Sequence, residues 1–321
     1  MISRRTVWAG LAGLALPRRA RAAAFPSRPI GIVVPYPAGG PVDVMARLIA
    51  QSVGNGLGQP ITVDNRGGGA GTIGSFAVAR AEPDGHTLVL GTNQTHATNQ
   101  TLLKNCPYDA VRDFAAVAGI ADIQHVLVVR PGLKASSVGE LIALAKAAPG
   151  ALNVASTGIG SASHLAAELF KLRAGVNLQH IPFRGAAPMT TELLAGRVDL
   201  TFATLPSLMA HIDTGALRPL AVASARRAAR LPNTPTLSEA GVSGVEADAW
   251  FALFAPAKTP AATIERLYDA VSAGLTNEAG TVAAQGMTLS LRPPAALAAW
   301  LPGEVAKWAA VIQAANVSIE R

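Results

Sequence analysis

The sequence predicts an α/β protein of two domains, the first of them discontinuous, and three observations predict it. Short apolar runs alternate with amphipathic stretches in steps of roughly 30 residues, the signature of strand–helix–strand units around parallel sheets. Of 321 residues, 297 lie past residue 24, more than a single core ordinarily organises. Two long apolar runs, residues 114–129 and 247–255, are placed to cross between domains, so the chain leaves its first domain and later returns to it.

In order, residues 30–35 read as a buried strand and 42–53 as a helix opened by Gly39-Gly40-Pro41. Residues 61–63 and 87–90 read as strands flanking a helix at about 73–81. After the first crossing come helix 136–148, strand 152–155, helix 162–172, strand 181–183, helix 189–194, and strands 200–203 and 220–223. Helices 263–275 and 294–315 close the chain. This organisation gives residues 25–124 and 247–321 to the first domain and 125–246 to the second.

Composition narrows the function classes. Half the residues are hydrophobic (50%), which supports a true core, and one cysteine cannot form an internal bridge, so a disordered or disulfide-stapled chain is excluded. The formal charge of +7 is misleading. Residues 1–24 hold Arg4, Arg5, Arg18, Arg19 and Arg21 and no acid, and without them 22 Lys and Arg face 20 Asp and Glu, a balance of +2. That is too small for a phosphate-tracking surface, and the cluster Arg226, Arg227 and Arg230 has no interleaved aromatics, so no nucleic-acid partner is expected. The same 24 residues read as an export signal: paired arginines, the ten-residue apolar run 7–16, then Ala20-Arg21-Ala22-Ala23-Ala24 as a cleavage region. The arginines suit the twin-arginine route better than the general one. Cleavage leaves Phe25 first, with Ala23 or Ala24 as alternatives.

Open parallel sheets place ligands at the carboxyl ends of their strands. Four strand-to-helix turns draw attention. Residues 35–43 (Pro-Tyr-Pro-Ala-Gly-Gly-Pro-Val-Asp) make a rigid, exposed helix N-terminus, with Pro41 suited to the first helical position and Asp43 placed either to cap it or to meet a ligand. Residues 65–74 contain Gly69-x-Gly71-x-x-Gly74, which formally matches a dinucleotide fingerprint, but no acid follows the next strand to hold ribose, so a tight turn with main-chain packing is the better reading. Residues 91–96 (Gly-Thr-Asn-Gln-Thr-His) offer uncharged donors, or a simple N-cap. Residues 155–164 (Ala-Ser-Thr-Gly-Ile-Gly-Ser-Ala-Ser-His) bring free amides and hydroxyls to another helix N-terminus, an anion site without the Lys of a nucleotide loop.

Catalytic readings find no machine. Ser161 or Ser163 near His164 lacks a nucleophile elbow and an orienting acid, and Cys106 lacks a basic activator. His164 and Glu168 make at most half a metal site, with the other histidines scattered. No catalytic residue, metal or cofactor is expected.

Taken together, Tyr36-Pro-Ala-Gly-Gly-Pro-Val-Asp43 with Ala46-Arg47, Asn65-Arg66 with its glycine run, Gly91-Thr92-Asn93 with Thr95-His96-Ala97, and Pro107-Tyr108-Asp109 form one set. Residues 158–164, Pro182-Phe183-Arg184-Gly185, Ala195-Gly196-Arg197-Val198-Asp199, and Trp250-Phe251 with Phe254-Ala255-Pro256 continue it. In this order they resemble the substrate-binding receptors of tripartite tricarboxylate transporters, the Bug-type receptors. The resemblance implies a type II periplasmic-binding-protein clamshell, monomeric, that closes on a small organic mono- or dicarboxylate and delivers it to integral-membrane permease subunits. By resemblance, one carboxylate meets the loop of Tyr36, Ala38, Gly39, Gly40 and Asp43, and another meets Ser156, Thr157, Gly160 and Ser161, with His164 nearby. Asn93 and Thr95 face the cleft from the first domain, and Arg184 is the nearby cation. One departure matters: many relatives read Phe-Asp-Asn-Leu-Pro-Ser where this chain has Phe202-Ala203-Thr204-Leu205-Pro206-Ser207. Loss of that acid and amide disfavours ligands with an ammonium group, so a plain aliphatic or aromatic acid is expected over an amino acid. A sensory receptor and a nucleotide-cofactor enzyme are the alternative readings.

Overall fold

A computed structural model describes residues 25–319, so the export-signal reading of residues 1–24 lies outside the described residues. The chain opens with strand β1 (Ile30–Val34), helix α1 (Pro41–Leu57), strand β2 (Ile61–Asn65), helix α2 (Thr72–Ala79) and strand β3 (Thr87–Thr92). A single-turn π segment, Gln94–Thr98, then runs into the short helix α3 (Asn99–Leu102). Strand β4 (Phe114–Ile123) ends one residue before β5 (His125–Val129) begins. Helix α4 (Val138–Ala147), strand β6 (Asn153–Ser156), helix α5 (Ala162–Ala174), strand β7 (Gln179–Pro182) and helix α6 (Ala186–Leu194) follow. Next come strand β8 (Leu200–Thr204), helix α7 (Leu205–Asp213) and strand β9 (Arg218–Val222). The last part holds strand β10 (Ala249–Pro256), helices α8 (Ala261–Thr276) and α9 (Ala279–Ala284), strand β11 (Thr288–Arg292) and helix α10 (Pro294–Ala314).

Two mixed sheets result, each with helices packed on it. The six-stranded sheet has the order β11-β4-β10-β3-β1-β2, and the five-stranded sheet the order β7-β6-β8-β5-β9. In the first, β1 pairs in parallel with β2 and β3, in register at Ile32 with Val63 and Leu88, while β10 runs antiparallel to both β3 and β4. In the second, β6 is parallel to β7 and β8, and β5 is antiparallel to β8 and β9. The sequence explains the positions. Central β1 reads Ile-Gly-Ile-Val-Val and is buried on both faces, whereas edge strand β2 alternates, with Ile61 and Val63 half-buried and Thr62 and Asp64 exposed.

The apolar run 114–129 therefore splits at Gln124 into two strands that belong to different sheets. Both sheets share a core where α10 packs. Leu297, Leu301, Trp308, Val311 and Ile312 are buried with residues of both sheets, among them Phe254 and Phe202. By length and composition α10 could cross a bilayer, but these side chains lie inside the protein. The buried carboxylate of Glu304 accepts from the indole N–H groups of Trp308 (2.6 Å) and Trp250 (3.3 Å), pinning the helix to the returning strand β10.

The glycine fingerprint serves packing. Gly71 takes φ +84°, and a Cβ on Gly74 would sit 2.8 Å from the Arg66 carbonyl oxygen and 3.0 Å from Pro35 Cα, so the start of α2 lies directly on the end of β1.

Candidate functional site

A cavity of about 630 Å³ lies between the two sheets. From the first sheet's side it is lined by Tyr36 to Val42, by Thr92, Asn93, Gln94 and Thr98, and by Phe251; from the second by Thr157, Gly160, Ser161 and Ala162. Ile123, at the end of β4, completes it. None of these side chains carries a formal charge.

The first wall is the turn between β1 and α1. Asp43 is 3% exposed and its carboxylate is engaged within the domain: it accepts from Gly39 N–H at 2.9 Å, Arg47 Nε at 3.0 Å and Asn65 Nδ2 at 3.0 Å. The Arg47 guanidinium, aided by the Gly39 amide, holds this carboxyl down to about 2. Asp43 thus fixes the loop while the amides of Ala38, Gly40, Val42 and Asp43 itself find no acceptor among the described residues. Tyr36 braces the wall, its hydroxyl donating to Gln94 Oε1 at 3.0 Å and lying 2.8 Å from Thr92 Oγ1. Burial pushes the phenol up to about 12, so it stays a neutral donor.

The adjoining wall comes from the end of β3 and the π segment. Thr95 and His96 are fully buried beneath it. Thr95 Oγ1 accepts from Thr92 N–H at 3.0 Å and lies 2.9 Å from His96 Nδ1. His96 stacks on Phe254 at 4.1 Å, and burial drives its pKa down to about 3, so it is a neutral packing ring. Asn93 is 6% exposed, lines the cavity, and has no side-chain partner among the described residues.

The opposite wall is the β6–α5 turn. Ser161 caps α5, its Oγ accepting from His164 N–H at 3.3 Å. Ser163 Oγ accepts from Thr157 N–H at 2.9 Å, and Gly160, at φ +72°, gives its N–H to His164 Nδ1 at 3.0 Å. The amides of Ala162 and Ser163, in the first turn of α5, find no acceptor among the described residues. Two helix N-termini, one from each sheet, thus present free N–H groups to one cavity, each adding the positive end of a helix dipole.

The expected residues divide accordingly. Tyr36, Ala38, Gly39, Gly40, Asn93, Thr157, Gly160 and Ser161 line the cavity, and Asp43, Thr95, Ser156 and His164 sit behind it. Arg184 is exposed and outside the lining. Ala203 is buried and Thr204 half-buried, and β8 leads instead into α7, which fronts a separate cavity of about 640 Å³ with Leu205, Pro206 and Met209 opposite Ala283 and Gly286. Gln94 lines the cavity within the 91–96 turn that the sequence singles out, whereas sequence reasoning missed Thr98, Ile123 and Phe251. Ile123 and Phe251 pass as core residues in a sequence, and only their place at the crossing, signalled by the length of runs 114–129 and 247–255, sets them apart. Among the described residues no three His, Cys, Asp or Glu side chains gather as a metal site.

Two α/β lobes joined by crossing strands, with anion-tuned turns facing one gap, define a type II solute-binding clamshell. Residues 45–317 match the family model described as tripartite tricarboxylate transporter family receptor. Protein BugT of Bordetella pertussis is 36% identical over 317 residues, covering 98% of this chain and 97% of that one. Among solved structures, Rpa4515 of R. palustris with adipate is 36% identical with a TM-score of 0.77, covering 92% of this chain and all (100%) of that one. MatC of Rhodopseudomonas palustris with bound malate is 32% identical with a TM-score of 0.73, covering 90% of this chain and 100% of that one. The chain belongs to the tripartite tricarboxylate transporter receptor family, whose members are periplasmic solute-binding receptors and not enzymes.

Proposed function

We propose that this receptor captures a small organic mono- or dicarboxylate between its lobes and delivers it, as a monomer, to the permease subunits of a tripartite tricarboxylate transporter. The observation that carries this reading is the pair of helix N-termini with free amides, α1 and α5, lining one cavity that holds no formal charge. Amides so placed suit carboxylates, and the two relatives solved with adipate and malate bind such acids. In this reading residues 25–124 and 247–321 form one lobe and 125–246 the other. Export removes a leader ending near Ala24. The contacts are Tyr36, Ala38, Gly39, Gly40, Asn93, Thr157, Gly160 and Ser161, supported by Asp43, Thr95, Ser156 and His164. No carboxylate lines the cavity, so nothing there pairs with an ammonium group, which favours plain acids over amino acids.

Thermal unfolding of the mature chain against succinate, malate, adipate, benzoate, aspartate and glutamate tests this. A simple carboxylate present at a hundred times its Kd raises stability by about 2.7 kcal/mol. If no acid moves the transition the reading fails, and if aspartate or glutamate binds more tightly than every simple acid the selectivity argument fails.

A further inference from the structure

Behind the β6–α5 turn, out of reach of the cavity, two histidine rings lie face to face. His164 of α5 and His180 of β7 stack with centroids 3.7 Å apart and planes 7° from parallel. Each holds a different part of the turn. His180 Nε2 lies 2.6 Å from Ser156 Oγ, which donates to Gly158 O at 3.1 Å and accepts from Gly158 N–H at 3.2 Å. His164 Nδ1 accepts from Gly160 N–H at 3.0 Å.

That last bond fixes the chemistry of the ring. A nitrogen that accepts an N–H carries no proton, so His164 is neutral with its hydrogen on Nε2, which faces Glu168 Oε1 at 3.6 Å. A second proton on His164 would put an Nδ1–H against the Gly160 N–H, two donors with no acceptor between them. Gly160 would have to turn away, and it lines the cavity between Thr157 and Ser161.

The surrounding charges are few. Glu168, 6% exposed, favours a cation on His164, but it is already bonded to Lys171 Nζ at 2.8 Å. Of the other elements packed here, β6 (Asn-Val-Ala-Ser), β7 (Gln-His-Ile-Pro) and β8 (Leu-Thr-Phe-Ala-Thr) bring no other ionisable group, and α10 brings Glu304 and Lys307, which pair with each other while Glu304 also accepts from Trp250 and Trp308. Burial, with His164 next to it, holds His180 down to about 4.

Resting on the receptor reading above, we propose that the stacked His164–His180 pair is the positioning element of the carboxylate-binding turn, and that capture requires the His164 ring to keep its Nδ1 unprotonated. Acid should therefore weaken binding even though a cation near the site would by itself attract an anion, because the proton enters through the bond that aims the Gly160 loop.

The test uses the mature chain and the carboxylate of the panel that binds best, measured by calorimetry at about pH 7.5 and about pH 5. Wild type should lose roughly tenfold in affinity between these, the size expected when one donor to a charged ligand leaves the site. His164→Asn offers its Oδ1 to the Gly160 amide but has no ring to protonate. It should keep more of the wild-type affinity at pH 7.5 than His164→Leu does, and lose much less than wild type on acidification. His164→Leu should lose affinity at both pH values while remaining folded by circular dichroism. Protonation of the ligand acts equally on every variant and cancels in the comparison. In the ligand-free protein, the Gly160 amide resonance should move in step with the His164 ring signals as pH falls. Binding that is unchanged or tighter at pH 5, a His164→Asn profile as steep as wild type's, or a Gly160 amide indifferent to the titration overturns the proposal while leaving the receptor reading intact. No carboxylate binding at pH 7.5 removes both.

Discussion

Substituting Ala162 by proline isolates the contribution of one free amide. Ala162 is the first residue of α5, where the N–H has no partner within the helix, and it lines the cavity. Proline at this position removes that N–H and nothing else of consequence to the fold. Its ring prefers the helical φ, and the preceding residue must be extended, which Ser161 already is at φ −67° and ψ 161°. The protein uses this arrangement at the start of α1, where Pro41 holds the same first position. Stability of Ala162→Pro should therefore stay level or rise by about 0.4–1 kcal/mol. Binding should not be spared. A hydrogen bond to a charged acceptor contributes about 1.5–3 kcal/mol, so the Kd of the best carboxylate should rise roughly 10- to 150-fold. Calorimetric titration beside a thermal melt reads both quantities from one preparation. A variant that melts at or above the wild-type temperature and binds within about threefold of wild type would refute the claim that α5 holds the acid through its terminal amides.

Two further expectations follow from the same geometry. Gly160→Ala places a Cβ 3.1 Å from both Leu102 Cδ1 and Ile319 Cδ1, at a residue with φ +72°, so it should cost about 1–2 kcal/mol and weaken binding, as a melt and a titration together would show. Asp248, hydrogen-bonded by Ser224 where the chain returns to the first sheet, is pushed up to about 7, chiefly by burial and further by the nearby Asp122 and Glu246. The folded protein then keeps a proton that the unfolded chain releases between about pH 4 and 7, so stability should fall across that window by at most about 1.4 kcal/mol per pH unit. Asp248→Asn, which can still accept from Ser224, should flatten that slope and melt higher at about pH 8, and urea unfolding as a function of pH checks it.

The parts of this structure that a sequence shows are those where one residue's backbone habit decides the outcome. Gly39-Gly40-Pro41 and Gly158-x-Gly160-Ser161 announce helix starts because only certain residues tolerate those angles, and both turns line the cavity. The π segment 94–98 and α3 carry no helical period of useful length, so Thr98, beyond the polar 91–96 turn, gives no sign that it lines the cavity. Neither α9 nor edge strand β11 is apparent, since β11 is half-buried throughout apart from exposed Thr288 and lacks a clear alternation. His180 is the sharpest case. It sits 16 residues beyond His164 on a separate strand, and only the parallel pairing of β7 with β6 brings it against Ser156.

The absence of charged side chains from the cavity lining has a mechanical consequence. A guanidinium in one lobe would bind a carboxylate nearly as well with the lobes apart, and a ligand with equal affinity for both states shifts nothing. Dipoles and single amides are weak one at a time and fall off within a turn of the helix end. When they are divided between α1 and α5, an acid held by one lobe keeps much of its desolvation cost until the other lobe closes and supplies the remaining donors. On the proposed reading the open state should then bind poorly and the closed state well, which is the differential affinity that would tie closure to occupancy. An arginine introduced at Ala162 should therefore raise carboxylate affinity while reducing the change in radius of gyration on binding; scattering curves that still show full closure would count against this division of labour.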